Sequence, residues 1–247
     1  MLAERPVTTE NAGNTEPGAG FEAAWCATDL GEHRPCRYTY EHYAYESLPP
    51  LDSARFTGDF AWLGGPGAAS PERGAALEAL DGALAAHGLA LSADFIAFQA
   101  GERTHRALDE VSVTACWTSI SQPLPCPGEP GAFLVRFLRD QQDCVLWYLC
   151  LRPSGETFVV WSPVDFAYEY ERGGEGGEGG EGAASGAAEL RAEIRWCAPS
   201  FEEFAYRFWA ENRIWHAVHG SGPAELDRPL RDYLGHYGPI RTSPHTP

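Results

Sequence analysis

The 247-residue chain contains no lysine; all 18 of its basic residues are arginine. A phosphate-binding loop needs a lysine on its phosphates, a protein kinase needs its strand lysine, and Schiff-base catalysis needs a primary amine. All three classes are excluded. Long apolar stretches are missing too. The longest unbroken run, Cys144 to Leu151, falls far short of the ~20 residues that span a bilayer. The opening twenty residues, MLAERPVTTENAGNTEPGAG, hold no apolar segment of the kind that directs secretion. The expectation is a cytoplasmic protein without membrane association.

No C-x-x-C and no G-x-S-x-G occurs. The seven cysteines are an odd number in a chain without an export signal, so reduced structural thiols are expected in place of a disulfide framework. Cys26, His33, Cys36 and His42 match no common zinc spacing. His216 and His219 lie one helical turn apart but have no evident third ligand. No metal and no cofactor is therefore expected. Two acidic pairs, Asp140 with Asp143 and Glu202 with Glu203, sit in a turn and at a helix start, where acids have structural reasons to be. No catalytic constellation is found, and the protein is not expected to be an enzyme.

Positive charge is scarce overall: 35 acidic residues face 18 basic ones, for a net charge of −17. Such a chain repels phosphates, and no arginine-rich stripe breaks the pattern, so nucleic-acid binding is disfavoured. The same charge keeps a protein dissolved and speeds encounter with a basic protein partner.

What is present organises into one domain over residues 21–240, after a tail, residues 1–20, expected to be disordered. Trp25 to Tyr45 shows no clear period. In SPERGAALEALDGALAAHG, Ser70 caps, Pro71 suits the first helical position, Gly88 stops, and Leu77, Leu80 and Leu84 share a stripe. Ser92 caps a second helix that places Phe95 and Phe98 on one face. VSVTACWT, residues 111–118, alternates as a half-buried strand does. AFLVRFL, CVLWYLCL and TFVVWS, separated by polar five-residue turns, predict an antiparallel meander. Cys144 and Cys150 fall in the second run and are expected to pack in a core strand.

VDFAYEYE, residues 164–171, alternates again and predicts a strand that pairs with LRAEIRWC, residues 190–197. The flexible Gly/Glu-rich loop at 172–187 lies between them. Gly174, Gly176 and Gly179 satisfy G-x-G-x-x-G on paper, but the period of three and the glutamates speak for a low-complexity loop and against a dinucleotide site. In PSFEEFAYRFWAENRIWHAV, Ser200 and Glu203 form a capping box, Phe201, Phe204, Phe208, Trp215 and Val218 make an apolar stripe, and Glu203 and Arg207 pair outside it. A last helix carries Leu230, Tyr233, Leu234 and Tyr237, with Gly238 as its stop. Helices, then strands, then helices give an α+β single domain: an antiparallel meander packed against N- and C-terminal helices.

SFEEFAYRFWAENRIWHAV with LRDYLGHYG, FLRDQQDCVLWYLCLRPSGETFVV, and LSADFIAF resemble the SUKH superfamily, which includes Smi/Knr-type regulators and many bacterial immunity proteins. The resemblance covers about residues 45–238. It departs at Ser92, where the family commonly has proline, and at the Gly-Glu tract. It implies a non-catalytic protein-binding domain that neutralises a bacterial toxin, many of which are basic. The alternatives are a cell-wall or signalling scaffold, and a hydrolase with an unrecognised site. The partner-binding surface is expected on Asp165, Tyr168, Glu169, Tyr170 and Glu171, or else on the aromatic helix around Glu211 and Asn212.

Overall fold

The computed structural model describes residues 20–173 and 181–238. The expected tail up to residue 19 and the centre of the Gly-Glu tract, residues 174–180, lie outside the described residues. The chain forms an α+β domain around one mixed, mostly antiparallel sheet. Its strands are β1 (Glu22–Ala27), β2 (Glu41–Ala44), β3 (Trp117–Thr118), β4 (Leu124–Pro125), β5 (Phe133–Arg139), β6 (Leu146–Leu151), β7 (Thr157–Ser162) and β8 (Arg195–Ala198). They run in the order β2-β1-β8-β7-β6-β5-β3, with β4 also on β5. Only β1 and β8 pair in parallel.

The meander is β5-β6-β7, as its three apolar runs predict. The run is unbroken in β6 because both of its faces are covered. Trp147, Leu149 and Leu151 enter the core shared with three helices, α1 (Pro71–Ala85), α2 (Ala93–Ala100) and α6 (Phe201–His216). Leu146, Tyr148 and Cys150 enter a second core on the opposite face. That face is covered by α4 (Phe166–Gly173) and α5 (Glu181–Ala192), which supply Phe166 and Leu190.

The predicted helix over 70–88 is α1, with Ser70 accepting from the Arg73 N–H and Leu77, Leu80 and Leu84 buried. Helix α6 starts where Ser200 accepts from the Glu203 N–H. Its aromatic stripe meets the meander: the Phe201 ring lies 5.1 Å from Phe137, and Trp147 lies 5.7 Å from Phe208. The last helix, α7 (Arg228–Gly235), packs Leu230, Tyr233 and Leu234 against Tyr206, Ala210 and Ile214 of α6.

Five expectations are corrected. Residues 111–118 are not a strand. Helix α3 (Ala107–Val111) takes the first of them, and only Trp117 and Thr118 pair in β3. Polar side chains bind the backbone between: Ser112 Oγ accepts from the Cys116 N–H, and Asp109 Oδ1 from the Thr118 N–H. Such local bonds compete with a ladder.

VDFAYEYE is a helix. Both edges of β7 are already taken, by β6 and β8, so another strand has no partner there. Asp165 opens the helix by accepting from the Ala167 N–H, and the spacing of four between Phe166 and Tyr170 serves a helix as well as alternation serves a strand. The hairpin across the Gly-Glu tract is thus α4 and α5 bridging β7 to β8. The expected loop at 172–187 is helical at both ends, where α4 reaches Gly173 and α5 begins at Glu181 in an alanine-rich stretch of high helix propensity.

The core position expected of Cys144 also fails. It is exposed in the turn before β6, and only Cys150 is buried. Its thiol lies 3.1 Å from Asp140 Oδ2, and partial burial together with that carboxylate pushes it up to about 11. Glu203 and Arg207 are not an outer ion pair but interior groups, 6% and 2% exposed.

Candidate functional site

The sequence-predicted surface separates into three environments. Asp165 is half-buried and bound to Arg136, whose Nη1 donates to both of its oxygens at 2.7 Å. It therefore ties α4 to β5. Tyr170 is turned back as well, donating its hydroxyl to the Pro125 carbonyl at 2.8 Å while its ring stays 37% exposed. Tyr168, 56% exposed, and Glu171 point outward on α4, with Glu169 half-exposed between them. The alternative surface around Glu211 and Asn212 is corrected outright, because both residues are 2% exposed.

Those two belong to a polar belt along α6. Glu211 accepts from Arg34 Nη1 and Nη2 at 2.7 and 2.6 Å, from Trp25 Nε1 at 2.8 Å and from the Tyr233 hydroxyl at 2.7 Å. Burial works against its charge. The Arg34 guanidinium and these hydrogen bonds outweigh that and hold the carboxyl below the usual carboxylate range. Asn212 accepts from the Val113 N–H at 2.9 Å. Glu202 accepts from the N–H groups of Gly58 and Phe60 and from Trp62 Nε1, and Glu203 from the Tyr45 hydroxyl. Arg207 donates to the Pro49 carbonyl and to Tyr233. Every one of these bonds fastens another segment to α6.

The four-residue metal idea dissolves, since His42 stacks on Trp161, 4.4 Å between ring centroids, and the Cys36 thiol faces the Ala27 carbonyl. His219 is drawn 3.0 Å from Asp29. Among the described residues the one group with metal-ligand spacing is Cys126, Glu129 and Cys150, whose donor atoms lie within 4.8 Å of one another. Its carboxylate is already engaged. Burial opposes the charge of Glu129, but hydrogen bonds from Arg152 and Arg191 prevail and hold it below its usual range. Two guanidiniums on the one hard ligand make this trio a poor host for a cation.

A cleft of about 420 Å³ opens between α1, the segment from α2 to α3, and the chain after β3. Leu77, Leu80 and Ile120 give it an apolar lining, and Arg73, Gln99 and Arg106 bring polar heads to it. Sequence reasoning missed these three. Two signals were there. Arg73 is a cation in the first turn of a helix, where the macrodipole favours acids. Gln99 is a polar residue four after Phe95, on the stripe that α2 buries.

The fold and these sites define an α+β domain with a substantial core, in which no helix of the described residues is long and apolar enough to cross a membrane. No family model, curated protein or solved structure matches the chain.

Proposed function

We propose that the chain is a non-catalytic protein-binding domain that engages a basic partner through the outer face of α4, in the manner of an immunity protein neutralising a bacterial toxin. The observation that carries this reading is the exposure of Tyr168 beside Glu169 and Glu171 in a chain of net charge −17. An outward aromatic ringed by acid has the makings of an interface anchor with electrostatic steering. The resemblance of the α1-α2 pair, the meander and α6 to the SUKH pattern supports the toxin-directed version over a cell-wall or signalling scaffold. A hydrolase finds no support in the side-chain groups described above, whose buried acids are all committed to structural bonds.

The test is co-purification from the native host with the wild type and a Tyr168→Ala, Glu169→Arg, Glu171→Arg variant side by side. Because these side chains lie outside the cores, the variant should melt within a few degrees of the wild type. A basic protein retained by the wild type should be lost, its association rate falling most steeply at low salt. Equal retention of every partner by the two forms would place the interface elsewhere.

A further inference from the structure

The cleft beside α1 has a feature that packing alone does not account for. Gln99 is 3% exposed and lines the cleft, yet its amide has no hydrogen-bond partner among the described residues. Its polar atoms are not sealed from solvent, whereas Arg73 Nε, also in the lining, is buried with no hydrogen-bond partner among the described residues, and an unpaired buried donor costs about 1–3 kcal/mol. Several other polar groups there are bonded within the protein. Asp109 Oδ1 accepts the Thr118 N–H at 2.9 Å and the Thr118 hydroxyl at 2.8 Å. Ser121 Oγ donates to the Gln122 carbonyl and accepts from the Arg136 N–H. His105 donates from Nδ1 to the Gly101 carbonyl at 3.0 Å.

The backbone keeps these heads in place. A Cβ on Gly101 would lie 2.5 Å from Thr104 Oγ1 and 2.6 Å from the Pro66 carbonyl, so only glycine lets this turn close and carry His105 and Arg106 to the cleft. Arg73 is anchored by its bond to the Ala100 carbonyl at 3.2 Å. Arg106 has only a loose partner, Glu110 at 3.8 Å, with both side chains about two-thirds exposed (66% and 67%).

We infer that this cleft binds a small organic monocarboxylate with an apolar body. Its volume falls within the ~300–1,000 Å³ usual for small-ligand sites. Arg73 and Arg106 bring two guanidiniums to a lining whose one carboxylate, Asp109, is already bonded by protein, and a guanidinium fork matches a carboxylate. The amide of Gln99 supplies the donor and acceptor that the protein leaves unused. Leu77, Leu80 and Ile120 take the hydrocarbon. A second carboxylate on the ligand would meet Asp109, which favours a single negative charge.

The experiment compares hexanoate, hexan-1-ol and hexylammonium, three head groups on one chain, by amide nitrogen–proton NMR titration of the full-length protein. Hexanoate should shift the Gln99 side-chain resonances and bind at least about ten times more tightly than the other two, a difference of about 1.4 kcal/mol. Arg106→Ala, at an exposed site, should weaken hexanoate about five-fold and leave hexan-1-ol unchanged, whereas Arg228→Ala, which removes the same charge from an exposed position outside the cleft, should change neither. Gln99→Met, of similar shape, should reduce hexanoate affinity without loss of fold. Equal binding of hexan-1-ol and hexanoate would reduce the site to an apolar groove. Equal effects of Arg106→Ala and Arg228→Ala, or no shift at Gln99 up to about 50 mM of any probe, would overturn it.

Discussion

The meander and the N-terminal third of the domain are both tied to α6 by aromatic rings, but the second adds buried charge. The strands β5, β6 and β7 meet the helix through rings, Phe201, Phe204 and Phe208 against Phe137 and Trp147. Residues 34–62 also bring rings, Phe56 and Trp62 on Tyr206 and Phe60 on Phe201, but add buried polar bonds, with Arg34 on Glu211, Tyr45 on Glu203, and the Gly58 to Trp62 backbone and indole on Glu202. One helix therefore meets the meander with rings and the N-terminal segment with rings and buried polar groups together. The difference teaches where a fold is robust. Apolar contacts are many, individually small and tolerant of rearrangement, while a buried charge depends on a few specific partners.

The sharpest way to break the comparison is to remove Glu211. Glu211→Ala leaves Arg34 charged and buried, and unfolding by denaturant should show a loss of about 3–5 kcal/mol. Phe204→Ala should lose a similar ~3–5 kcal/mol through its cavity. The two regions then part company. Replacing both members of the pair, Arg34→Met with Glu211→Leu, should recover most of the loss, because an apolar pair of similar volume needs no partner. If the double variant stays as unstable as Glu211→Ala, the bonds from Trp25 and Tyr233 matter more than the charge pair.

A smaller effect separates the acids by pH. The folded-state pKa of Glu211 is depressed, so its contribution is present above the unfolded carboxylate value of about 4.3 and is lost as pH falls through the folded value. Glu202 and Glu203 go the other way. Burial raises both, and their contribution declines as pH rises from the unfolded value through the folded one. The stability difference between the wild type and Glu211→Gln should therefore shrink steadily as a series of denaturation curves is taken from pH 6 downward. A difference that stays constant would mean that Glu211 binds its proton equally in the folded and unfolded chain, and one that grows as pH falls would mean that the native carboxyl is protonated.

The smallest effect tests the turn against the strand. Cys144→Ala should change stability by less than about 0.5 kcal/mol, and Cys150→Ala should cost about 1–3 kcal/mol. In a Cys36→Ser background, thiol labelling should reach Cys144 in the native state, faster as pH climbs toward about 11, and Cys150 only on unfolding. Equal labelling of the two would return Cys144 to the core.

How much of this was legible follows the same division. Period and run length found the meander, α1, α2, α6 and α7, because the apolar residues that drive their burial are also what the eye counts. The failures share one cause. VDFAYEYE has both a period of two and a spacing of four, and only the occupied edges of β7 decide between them. In VSVTACWT the side chains of Asp109 and Ser112 take the backbone bonds that a ladder needs. Trp25 to Tyr45 showed no period because polar bonds hold it, and those partners are far away, Arg34 and Glu211 being 177 residues apart. The acidic surface was read from composition, and the structure moved Asp165, Glu211 and Asn212 from it into protein-bonded positions. The cleft at Gln99 left only the faint mark of a polar residue on an apolar stripe.

The parallel pairing of β1 with β8 also sets a timetable for synthesis. Strand β1 leaves the ribosome early, yet its neighbour in the sheet is the last strand, and Trp25 bonds a glutamate 186 residues further on. At about 5–20 residues per second, roughly 10 to 40 seconds pass before that partner is made. Through that interval β1 and β2 have only each other, and a lone two-stranded ribbon is marginally stable in water. The meander has no such wait, since its strands emerge one after another. The nascent chain thus carries a finished centre with an unfinished edge, and the domain closes only once α6 and β8 have been translated.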